Sequence, residues 1–129
     1  CAAQWHKTLS YSDEFFGDGA QYDKEFTEIY GYAPPYQAAE SSAALLVYKA
    51  AFEKADSLDK DKIRDALAQT DMQTFYGNIK FSDTGQNIAK PMVLFQVRCE
   101  GDVCANRVVA PTKWASHELV HPIPSWSSR

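Results

Sequence analysis

Apolar positions along residues 34–70 recur at steps of three and four: Ala44, Leu45, Tyr48, Phe52 and Ala55 form one row in a stretch rich in strong helix formers. That row predicts a long helix with those five residues as its core face. Pro34 and Pro35 suit a first turn, where a missing N–H costs nothing, and Asp56-Ser57 marks the break. A second helix follows, with Asp59 as N-cap, Leu58 and Ile63 as a hydrophobic staple around it, and Ala66 and Leu67 on the buried side. The two helices are expected to pack together.

Upstream, residues 1–5 read as the end of a strand and residues 6–19 as a loop. From Ala20, the residues Tyr22, Phe26, Ile29 and Tyr30 have helical spacing, and Gly31 stands where a left-handed terminator belongs. Downstream of Thr70 the period shortens to two. Phe75, Gly77, Ile79 and Phe81 alternate with polar or less apolar neighbours as a half-buried strand, and Ser82-Asp83-Thr84-Gly85 is turn chemistry. Residues 92–99 alternate again, with Val93, Phe95 and Val97 on one face, and residues 104–110 return as the hairpin partner. Residues 111–129 hold three of the six prolines and two of the three tryptophans, which predicts an irregular tail on the surface anchored by Trp114 and Trp126.

Composition narrows the function classes. At 129 residues the chain is about one domain's worth. A net charge of −4 with no dense basic patch leaves no footprint for nucleic acid. The longest wholly apolar run, residues 43–48, is far short of the roughly 20 residues that a membrane span needs. Cys99 and Cys104 flank Glu-Gly-Asp-Val, so a four-residue hairpin loop would set them opposite each other. A disulfide there implies an oxidising compartment; two reduced thiols or half a metal site are the competing readings. Cys1 is left over.

Several segments taken together carry a resemblance: EIYGYAPPYQAAESSAALLVYKAAFEKA, then SLDKDKIRDAL, TFYGNIKFSDTGQN, MVLFQV, VVAP and PIPSW. In that order and spacing the chain resembles the C-terminal part of periplasmic solute-binding proteins of the branched-chain amino acid ABC importers, the type I two-lobed receptors. The resemblance implies an α/β fold in which residues 1–110 are part of a C-terminal lobe, with helices covering a parallel sheet and a terminal antiparallel hairpin, and residues 111–129 are a surface tail. Family members are two to three times longer, so the remainder of the fold would come from the same longer chain or from another one.

The resemblance further implies a non-enzymatic, exported periplasmic protein without a cofactor. It would close on a branched-chain amino acid or similar small organic acid and dock on a membrane permease. Carried over residue by residue, Tyr36 falls where the family places an aromatic wall, Trp5 lies in a loop that faces the cleft, and Glu40 lies one helical turn from Tyr36. Two other readings compete. His117-Glu118-Leu119-Val120-His121 matches H-E-x-x-H, the zinc-hydrolase motif, although Pro122 biases His121 away from helical angles. A ligand-sensing receptor domain would share the fold. Asp56, Asp59, Asp61 and Asp65 alternate with Lys60, Lys62 and Arg64, the pattern of a solvated face.

Overall fold

The computed structural model describes residues 1–90 and 92–125. Among the described residues, three helices and seven strands follow one another as β1 (Ala2–Ala3), β2 (Ser12–Asp13), β3 (Gly17–Asp18), α1 (Gly19–Tyr30), α2 (Tyr36–Ala55), α3 (Lys60–Ala68), β4 (Asp71–Thr74), β5 (Gly77–Lys80), β6 (Val93–Glu100) and β7 (Val103–Ala110). The result is a mixed α/β chain. All strand pairs among the described residues are antiparallel, in sheets ordered β1-β6-β7, β2-β3 and β4-β5.

Each helix end has a local cause. Asp18 caps α1 by accepting from the Gln21 amide at 2.8 Å, and Gly31 closes it at φ +78°, a left-handed geometry that glycine adopts without steric cost. Asp59 caps α3 with its carboxylate accepting from the amides of Asp61 and Lys62. The staple expected around it does not form, because Leu58 is 88% exposed.

The buried side of α2 differs from the expected one. Ala39, Ala43, Leu46, Val47 and Ala51 are inside, while Leu45, Tyr48 and Phe52 are exposed at 68%, 50% and 42%. Small side chains let the helix approach the aromatic core closely, and the bulky row is left outside. In α1, likewise, Tyr22 is buried and Phe26 half-buried, whereas Ile29 and Tyr30 face solvent.

The core is aromatic at its centre. Tyr22 stacks on Phe75 at 4.3 Å between ring centroids, and Trp5 and Phe16 meet Phe75 edge-on at 6.2 and 5.1 Å. The Tyr22 hydroxyl and the Ser42 hydroxyl share a 2.9 Å hydrogen bond that ties α1 to α2.

The single strand expected through Phe75 is instead the second half of a hairpin. Strand β4 precedes it, and Phe75 and Tyr76 form the turn, both buried. Aromatic residues at that turn are held by the core rather than by turn propensity. The following hairpin, β6–β7, turns at Gly101-Asp102, shorter than the expected four-residue loop, with glycine in its first position at φ +61°. Cys99 and Cys104 are directly paired across it, with Cα atoms 4.0 Å apart, and form a disulfide.

Beyond β7 the backbone is irregular to residue 125. Trp114 packs on the core and lies 5.6 Å from the Tyr11 ring. The Gln96 side chain donates to the Val120 carbonyl and accepts from its amide, both at 3.0 Å. Trp126, the second anchor expected from the sequence, lies outside the described residues. His117 to His121 adopt no helix, so the two histidines do not share the helical face that H-E-x-x-H chemistry requires.

Candidate functional site

A groove of about 970 Å³ runs between the inner faces of α2 and α3 and the segment that continues from β5. Its apolar lining includes Ala43, Val47, Tyr48, Leu67 and Ile79, of which Ala43, Val47 and Ile79 belong to the buried core and Leu67 packs against it. Its polar lining includes Gln4, Glu40, Tyr76, Asn87 and Lys90. An apolar trough with a few convergent polar groups is the usual form of a small-molecule site.

The polar groups are brought together by tertiary structure alone. Tyr76 is buried at the turn of the β4–β5 hairpin, and its hydroxyl donates to Gln4 Oε1 at 2.6 Å, across 72 positions of sequence. Burial raises the Tyr76 phenol, and the nearby Glu40 and Tyr36 push it further in the same direction. It therefore stays a neutral donor through the physiological range. Lys90 Nζ lies 3.0 Å from the centroid of the Tyr76 ring, and its stem crosses Gly77, where a β-carbon would meet Lys90 Cδ and Cε at 2.8 Å. Burial pulls the Lys90 ammonium down to about 7, with Glu40 acting in the opposite direction.

The residues singled out from the sequence fall in three settings. Glu40 is exposed on the groove wall and is felt electrostatically by both Tyr76 and Lys90. Tyr36 opens α2 one turn earlier and is 42% exposed. Trp5 is 5% exposed in the aromatic core, edge-on to Tyr22 and Phe75, and among the described residues its indole N–H has no acceptor. Trp5 thus belongs to the core and does not line the groove. Lys90, Tyr76 and Gln4 were not visible as site residues in the sequence. A lone lysine before a proline and a tyrosine in a strand-like run carry no motif, and only the fold shows that they meet.

Among the described residues, no three metal-ligating side chains converge. Arg64 is paired with Asp61 and Asp65 at 3.0 and 2.7 Å, which makes the charged stretch of α3 a salt-bridged surface.

A family model for periplasmic binding proteins matches residues 6–102, and the chain belongs to that family, whose members bind solutes and are not enzymes. Among solved structures, it is similar to a leucine-binding protein, LivK, from Thermotoga maritima. That likeness has a TM-score of 0.63 at 22% identity and covers 87% of this chain, which spans 31% of the length of the other.

Proposed function

We propose that this chain is the C-terminal part of the substrate-binding component of an ABC importer, exported to the periplasm, that binds a branched-chain amino acid or a similar small organic acid. The observation that carries the reading is the groove beside α2, where an acidic side chain, Glu40, and a basic one, Lys90, border an apolar trough. Opposite charges flanking apolar walls match an amino acid with an aliphatic side chain. The family match and the disulfide-closed hairpin support it, since disulfides persist in oxidising compartments. The leucine-binding relative adds support for the ligand class.

In this reading residues 1–110 contribute to one lobe, residues 111–129 form a tail on its surface, and the remainder of the two-lobed fold completes the cleft. Glu40 faces the ammonium end of the solute, Tyr36 supplies an aromatic wall one helical turn away, and Trp5 sets the hairpin turn from below. Ligand favours the closed form through contacts made better there, and the closed form docks on the permease.

Calorimetric titration of the full-length protein with L-leucine, L-isoleucine and L-valine tests this. Saturable binding of at least one is expected, with Glu40→Gln and Tyr36→Ala each weakening it by about tenfold. A folded protein that binds no amino acid or small organic acid would overturn the proposal.

A further inference from the structure

Lys90 is held in place by the fold, yet its ammonium is unanswered. Nζ is buried, and among the described residues no atom accepts a hydrogen bond from it. The Tyr76 ring face on which it rests provides a quadrupole but no lone pair, so three N–H donors lack acceptors. The stem has its own channel, because Gly77 at φ +143° leaves the space that any side chain would fill. The other cation bordering the groove, Arg64, is already paired with Asp61 and Asp65. A buried amino group without a hydrogen-bond acceptor on the wall of a groove is matched by an anionic group entering that groove.

We infer that Lys90 is the carboxylate anchor of this site, taking the carboxylate of an α-amino acid or small organic acid while Glu40 takes the ammonium on the neighbouring carbon. The inference rests on the solute-binding reading above and names the residue that would select an acid over its neutral analogue. A lysine suits the task, since a compact ammonium on a flexible stem can turn from the ring to an incoming oxygen without moving the backbone. A carboxylate beside Nζ acts in the same direction as Glu40, which already favours the charged form against burial.

Calorimetry on the full-length protein with three probes tests the assignment: L-valine, valinamide, which lacks the carboxylate, and 3-methylbutanoate, which lacks the amine. Unsubstituted protein is expected to prefer valine to valinamide by at least about tenfold. Lys90→Met should weaken valine and 3-methylbutanoate by about tenfold to a hundredfold and leave valinamide within about twofold, and Lys90→Arg should restore part of the loss. Lys90→Gln carries the same expectation if Lys90→Met does not fold. Equal weakening of valine and valinamide, or no weakening of valine, would overturn the anchor role while valine binding left the receptor reading standing. Failure of the unsubstituted protein to bind any of the three would overturn the anchor role, and failure to bind any amino acid or small organic acid would overturn the receptor reading as well.

Discussion

Asp13 Oδ2 accepts the amide hydrogen of Phe75 at 2.7 Å, joining residues 62 positions apart, while Oδ1 of the same carboxylate accepts the amides of Phe15 and Phe16 at 2.9 and 2.7 Å. One side chain thereby fixes an N-terminal loop and the aromatic turn on which the groove is built. Hydrogen bonds to a charged acceptor are stronger than neutral ones, and removing the acceptor leaves a partly buried amide unpaired. Asp13→Ala should therefore cost about 3 kcal/mol in urea unfolding, and Asp13→Asn about half of that, because one acceptor oxygen remains. A loss below about 0.5 kcal/mol for the alanine variant would show that the turn is held by packing alone.

The Cys99–Cys104 bridge predicts a thiol count. Cys1 is the free, exposed cysteine. Mass spectrometry after alkylation should give one modified cysteine without reductant and three with it. Because the bridged residues are only five apart in sequence, the closed ring is small, and reduction should lower stability by no more than about 2 kcal/mol. Two or more alkylated cysteines under native, unreduced conditions would contradict the bridge.

Lys90 makes stability depend on pH in a definite direction. Its folded value is about 7, below the roughly 10.4 of an unfolded lysine. Between those values the unfolded chain holds more protons than the folded one, so stability rises with pH across that window and is lowest below about 7. Lys90→Met has no proton to lose at this position. Thermal melts without ligand should show the variant more stable than the parent at pH 6, with the difference shrinking as pH approaches 10. A constant difference across the range would mean that the amine is solvated.

Two helix ends test backbone conformation without side-chain contacts. Gly31 is at φ +78°, and nothing lies within 4 Å of where a β-carbon would stand, so Gly31→Ala should cost about 1 kcal/mol through backbone strain alone. Asp56 ends α2 at φ +45°, the one non-glycine residue with positive φ among those described. Asp56→Gly should stabilise by about 0.5–1 kcal/mol in the same urea assay. A stabilising Gly31→Ala or a destabilising Asp56→Gly would reverse the expectation.

Helix positions, the Gly31 and Asp59 caps and the β6–β7 hairpin were legible because each depends on neighbours in sequence. The face of α2 was not. That helix carries apolar residues around most of its circumference, so periodicity favours the bulky row of Leu45, Tyr48 and Phe52, whereas the face that enters the core cluster with Phe75 and Tyr76 is that of Ala39 and Ala43. The β4–β5 hairpin was hidden for a related reason: Phe75 and Tyr76 have strand propensity, and only the aromatic core makes a turn of them. In the groove, Glu40 could be named from its place on α2. Lys90 could not, because its partner is a ring 14 residues away whose position is set by the fold.

The row of Leu45, Tyr48 and Phe52 gives α2 a second oily flank. Colloidal behaviour then turns on whether that flank is wrapped, whatever the net charge of −4 contributes to repulsion between molecules. Left uncovered, this strip should make the polypeptide clump, and light scattering should fall when Leu45 and Phe52 are made polar.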